Sequence, residues 1–103
     1  VEGDCVTLPK VIKANGFTMT QVMREDDIAI YRRTKEVFGH TIEHFEVIVI
    51  RMVPVDEVFG KTIPEHEKYP ANERWGIDGF TCLDIDAAWR RVKHIREERE
   101  KVI

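Results

Sequence analysis

The run Phe45-Glu46-Val47-Ile48-Val49-Ile50-Arg51-Met52-Val53, closed by Pro54, decides the fold. Four β-branched residues in succession at 47–50 favour a strand, and the run is too short for a helix ended by proline or for a membrane span. Polar residues stand only towards its ends. Its middle is therefore expected to be buried on both faces, as a central strand covered from either side would be.

The neighbouring segments arrange themselves around this strand. Residues 17–24 (FTMTQVMR) alternate, with Phe17, Met19 and Met23 on one parity and Thr18, Thr20 and Arg24 on the other, the pattern of a half-buried strand. Glu25-Asp26-Asp27 supplies a polar turn. Residues 28–34 (IAIYRRT) form a second strand, with Ile28, Ile30 and Arg32 on one face and Ala29, Tyr31 and Arg33 on the other. So short a link makes the two an antiparallel hairpin. Residues 35–41 read as a longer connection around Gly39, leading into the third strand at 42–53.

From 54 to 72 the chain is punctuated by Pro54, Gly60, Pro64 and Pro70 and has no clear periodicity. It reads as a long loop, of the kind that tends to be functional or mobile, with room for a helical turn at 55–59. Residues 75–83 (WGIDGFTCL) are a fourth strand, marked by Gly76 and Gly79 as an edge or a bulge. Residues 1–16, ending in the Asn15-Gly16 turn signal, read as an N-terminal arm with one short extended piece, and 17–103 as a single α+β domain.

The last element is a helix. Asp84 is a good N-cap and Asp86 adds negative charge where the helix dipole favours it. Ile85, Ala88, Trp89, Val92 and Ile95 follow helical spacing and define a buried stripe, with Trp89 expected as the main anchor on the sheet. The order β-β-β-loop-β-α is an α+β fold: an antiparallel sheet of about four strands with one C-terminal helix packed on a face. Neither an internal repeat, a low-complexity tract nor a heptad run stands out.

Composition sets bounds on function. The 103 residues fit one domain, and surface scaling predicts roughly 65% of the unfolded chain's area buried on folding. The net charge of −3 argues against sequence-independent nucleic-acid binding, which depends on neutralising phosphates. Residues 41–80 hold four basic and eight acidic side chains, so the negative charge concentrates in the middle of the chain. Cys5 and Cys82 are expected to be reduced thiols, which fits an intracellular, cytoplasmic setting, with a single bridge as the alternative. No signal peptide, transmembrane run or lipidation motif is visible, so no membrane role is expected.

Candidate chemistry is sparse. The chain contains no serine, which removes serine-based triads. The histidines, His40, His44, His66 and His94, have no recognised metal spacing. Gly60-Lys61-Thr62 resembles the end of a phosphate loop, but Val55 stands where the upstream glycine is required. No catalytic residue, metal ligand or cofactor is therefore assigned, and the protein is not expected to be an enzyme. The basic helix face (Arg90, Arg91, Lys93, Arg96, Arg99) is interleaved with Glu97, Glu98 and Glu100, and Glu97–Lys101 is a favourable pair, so a solvated, self-neutralised face is the simpler reading.

Several short words, among them Leu8-Pro9-Lys10, Ala29-Ile30-Tyr31, Val58-Phe59-Gly60-Lys61, Tyr69-Pro70-Ala71-Asn72-Glu73 and Trp75-Gly76, resemble small uncharacterised proteins carried by bacteriophages and other mobile elements. The resemblance implies an accessory protein acting in a bacterial cytoplasm and carries over no catalytic or ligand residue. The leading expectation is a non-enzymatic protein that binds another protein through the acidic segment 56–78. Phe59, Tyr69 and Trp75 would be its anchors, with Glu65 and Glu67 contributing charge. The alternative is a single-stranded nucleic-acid-binding module that stacks bases on Tyr31 beside Arg33 and uses the helix.

Overall fold

The computed structural model describes residues 6–101. Five antiparallel strands form the main sheet in the order β1-β2-β3-β4-β9: Val11–Ala14, Phe17–Glu25, Ile28–Val37, His40–Val49 and Gly79–Cys82. The helix α1, Ile85–Glu100, contacts β4 and β9. This is the expected α+β architecture with one more strand in the sheet. The extended piece within the first sixteen residues is β1, the edge strand beside β2.

The central strand is buried on both faces, as its run of β-branched residues requires. Phe45 and Val47 join Ile28, Ile30, Ala88 and Val92 in a core between sheet and helix. Ile48 and Ile50 join Ala29 and Tyr31 in a second core on the opposite face, covered by Leu8, Ile12, Met19, Tyr69 and Trp75. The alternation expected for β3 is thus observed. In β2 it is not: the register shifts between Gln21 and Met23, so Met19 packs on one face and Met23 on the other. A bulge adds one residue, and with a period of two that inverts every side chain beyond it.

Three expected connections are corrected. Residues 35–41 are not a long link, because β3 and β4 continue to a two-residue turn at Phe38-Gly39, both with positive φ. Such I′ turns are usually signalled by Asn-Gly or Asp-Gly, which hides this one from a residue-by-residue reading. The third strand does not run unbroken to residue 53. β3 begins at Ile28, opposite Val49; the Ile50 amide still donates to the Asp27 carbonyl at 2.6 Å, and the chain then leaves the main sheet for β5, Arg51–Val53.

The third correction concerns 54–72, which is largely strand. β5 pairs with β8, His66–Lys68, and β6, Asp56–Val58, pairs with β7, Lys61–Ile63. One register runs through both pairs, so 51–68 is a single hairpin arm with its turn at Phe59-Gly60. Pro54 and Pro64 interrupt its ladder, since neither can donate a backbone hydrogen bond. No helical turn forms at 55–59. The absence of an internal repeat is also corrected: residues 36–42 read EVFGHTI and residues 57–63 read EVFGKTI, and each forms the end of a hairpin.

The helix begins as expected, with the Asp84 carboxylate accepting from the Ala87 amide at 2.7 Å. Arg99 grips Asp27 through two hydrogen bonds of 3.0 and 2.8 Å, and Arg96 pairs with Glu25. The lysine expected to pair with Glu97 reaches Glu98 instead. Trp89, however, is 43% exposed and does not anchor the helix. At about 100° per residue, Ile85, Ala88, Val92 and Ile95 share one arc and Trp89 lies beyond its edge. Trp89→Ala is accordingly expected to lower unfolding stability in urea by about 1 kcal/mol, against the 3–5 kcal/mol of a buried tryptophan.

Candidate functional site

Two surfaces carry the residues of interest: a cleft on the sheet face opposite the helix, and the arm that projects beside it. After the arm, the chain crosses that face through a 3-10 turn, Asn72–Arg74, before entering β9. Tyr69 meets Tyr31 edge-to-face at 5.7 Å between ring centroids and stacks with Trp75 at 6.4 Å. The Trp75 ring lies directly over Gly79, where an added Cβ would stand 2.3 Å from a ring carbon. Gly79 therefore marks a close approach as well as an edge strand.

The polar atoms here are matched one to one. The Tyr69 hydroxyl donates to Glu46, whose other oxygen faces the Arg33 guanidinium at 3.3 Å. Trp75 Nε1 donates to Thr81 at 3.0 Å. The Tyr31 hydroxyl donates to the Pro9 carbonyl at 2.8 Å and accepts from Gln21. Burial raises the pKa of both tyrosines, and the Glu46 carboxylate pushes that of Tyr69 further. Between these groups and β2 opens a cleft of about 330 Å³, lined by Phe17, Met19, Arg33, Glu46, Tyr69 and Trp75 among others. Arg33 lies over the Phe17 ring at 3.6 Å and Lys35 at 4.8 Å; Glu46 offsets Arg33, which leaves Lys35 as the unbalanced charge beside the cleft.

The arm is braced at its root and free at its tip. Glu67 receives two hydrogen bonds of 2.5 Å from Arg24 and one of 2.9 Å from the Leu8 amide. Arg24 holds the Glu67 carboxyl below the usual carboxylate range, despite the opposing effect of burial. Backbone bonds from Val6 to the Glu65 carbonyl, and from Glu67 to the Val6 carbonyl, add a parallel bridge. Asp78 accepts from Arg74 at 2.8 Å and from Arg51 at 2.7 Å, and both depress its pKa, Arg74 first. At the far end Phe59 is wholly exposed, with φ of 52°.

No family model, curated protein or solved structure matches this chain.

The structure separates the residues that the sequence grouped. Tyr69 and Trp75 come together at the cleft. Phe59 stands apart at the arm tip, and Glu65 is half-exposed at the root. Glu67, with a side chain only 7% exposed, is turned inward as a brace. Tyr31 is fully buried and offers no ring face to a base, which corrects its placement as a stacking platform. Sequence reasoning missed Phe17, Met19, Arg33 and Glu46 as cleft residues, because the bulge in β2 and the covering segment bring them together only in space. It also missed Phe38, which the repeated heptapeptide could have revealed.

Cys82 is a half-buried free thiol whose pKa burial raises; Cys5, and with it the expected pair of thiols, lies outside the described residues. Among the described residues no three of His, Cys, Asp and Glu converge as a metal site would need, and no helix is long and apolar enough to cross a membrane.

Proposed function

We propose that the protein is a non-catalytic binding module, an accessory protein whose partner is another protein, and that the arm 51–68 is the element that meets it. The observation that carries this reading is Phe59. An aromatic ring held entirely in water, at the end of a lever braced by Arg24–Glu67 and by Asp78 with its two arginines, is suited to filling a partner's pocket. Tyr69 and Trp75, at the cleft and apart from Phe59, offer further aromatic surface. The likeness to small phage and mobile-element proteins supports an accessory role in a bacterial cytoplasm. A catalytic reading has less to draw on, because the carboxylates with displaced pKa values, Asp27, Glu67 and Asp78, are engaged by arginines.

Phe59→Asn tests the reading without endangering the fold, since asparagine suits the left-handed turn position better than phenylalanine does. The variant is expected to melt no lower than the parent. Capture of a partner from bacterial lysate by the immobilised protein is expected to fall tenfold or more, the scale of a lost interface anchor. Equal capture by both proteins would overturn the assignment of Phe59.

A further inference from the structure

The two hairpin ends are one element used twice. EVFGHTI at 36–42 and EVFGKTI at 57–63 agree at six of seven positions. They also fold alike: Val37 faces His40 and Glu36 faces Thr41, as Val58 faces Lys61 and Glu57 faces Thr62. Phe38 and Phe59 have φ of 50° and 52°, and the glycines after them 78° and 76°. Both rings are essentially fully exposed, at 98% and 100%. A left-handed conformation is unfavourable for a non-glycine residue, and a ring in water recovers none of that cost by burial. Folding thus accounts for the two glycines but not for the two phenylalanines.

The same chain holds a receptor for such a ring. The cleft of about 330 Å³ lies at the small end of the range of about 300–1,000 Å³ typical of ligand pockets. Phe17, Met19, Tyr69 and Trp75 give it apolar and aromatic walls, while Arg33, partly offset by Glu46, and Lys35 leave a net positive charge beside it. The arm approaches its tip through two exposed acids, Asp56 and Glu57, and returns through one exposed base, Lys61, so the tip is net negative. Shape and charge are therefore complementary. Within its own chain Phe59 is fully exposed and does not occupy this cleft.

We propose that the arm tip of one copy seats Phe59 in the cleft of a second copy, with Asp56 and Glu57 facing Arg33 and Lys35. Phe38 presents the same ring in the same conformation as a second, less acidic plug. The proposal rests on the reading of Phe59 as an anchor and names a copy of the chain as its partner. Reciprocal exchange of arms closes a dimer, whereas one-way seating extends into a chain of copies.

Sedimentation velocity on the full chain, across a range of concentrations and at two salt levels, tests this directly. The parent is expected to associate, less tightly at the higher salt. Phe59→Asn should weaken association at least tenfold, and the Phe38→Asn/Phe59→Asn pair should leave a monomer at every concentration. Lys35→Glu should also weaken it, and combining that change with Asp56→Lys and Glu57→Lys should restore it. A photo-reactive phenylalanine analogue at position 59 should cross-link to the cleft of a neighbouring copy, at residues such as Met19 or Trp75. Association that survives the double asparagine change, or cross-links that map elsewhere, would overturn the proposal. A parent that stays monomeric overturns it too, and leaves the lysate capture to judge Phe59 as an anchor for a different protein.

Discussion

Glu67→Lys is expected to lower unfolding stability by about 3 kcal/mol, while Glu65→Lys, two residues away, changes it by less than about 1 kcal/mol. The two glutamates look alike in the sequence and were grouped there as surface charge. In the fold, Glu67 accepts two bonds from Arg24 and one from the Leu8 amide, with its side chain almost wholly removed from water. Breaking a buried pair costs about 3–5 kcal/mol, because the remaining charge is left uncompensated. Arg24 is about a quarter exposed and recovers some hydration, which places the cost at the lower end. Urea denaturation of both variants at neutral pH measures the contrast. Equal stabilities would show that Glu67 does not brace the arm. The sign in acid is the same: Glu67, Asp27 and Asp78 have depressed folded pKa values. Their contribution is present above the usual carboxylate range and lost as pH falls through the depressed values.

Raising the pH above about 10 is expected to unfold the protein cooperatively, through the only two tyrosines in the chain. Burial raises the folded pKa of Tyr31, and burial together with the Glu46 carboxylate raises that of Tyr69. Both groups keep their protons in the folded state at a pH where the unfolded chain releases them. Their stabilising effect is complete below the ordinary tyrosine value. It falls above that value by up to about 1.4 kcal/mol per pH unit for each ring. Tyrosinate absorbance and near-ultraviolet circular dichroism, followed together, should change in a single step. An absorbance rise centred near pH 10, with the dichroism unchanged, would mean that the rings are accessible to solvent and that the second core is misassigned.

The same contacts explain how much of the candidate site could be read in advance. Tyr69, Trp75 and Phe59 stand out as aromatics in or beside a proline-rich segment, but their separation into cleft and tip depends on the arm being a hairpin. That pairing was hidden by Pro54 and Pro64, which break the alternation a strand reading looks for, and by a Phe-Gly turn in place of Asn-Gly. Arg33 and Glu46 lie on neighbouring strands and meet below Tyr69 only because the covering segment crosses there. Nothing in the spacing of 33, 46 and 69 announces that cluster.

Local chemistry governs the part of the fold that could be read from the residues alone. The β-branched run at 47–50 made a central strand covered on both faces, the alternation in 28–34 divided its residues between two cores, and Asp84 with the stripe at Ile85, Ala88, Val92 and Ile95 started and oriented the helix. These depend on periodicity and capping, which neighbouring residues settle among themselves. The tertiary structure alone decided which apolar residues stay in water. It placed Trp89 outside the docked arc, turned Met19 and Met23 to opposite faces through one extra residue in β2, and drew Glu67 inward onto Arg24. It left Phe38 and Phe59 wholly exposed. Each of these outcomes depends on a partner distant in the chain, and burial is a property of the assembled surface rather than of the residue.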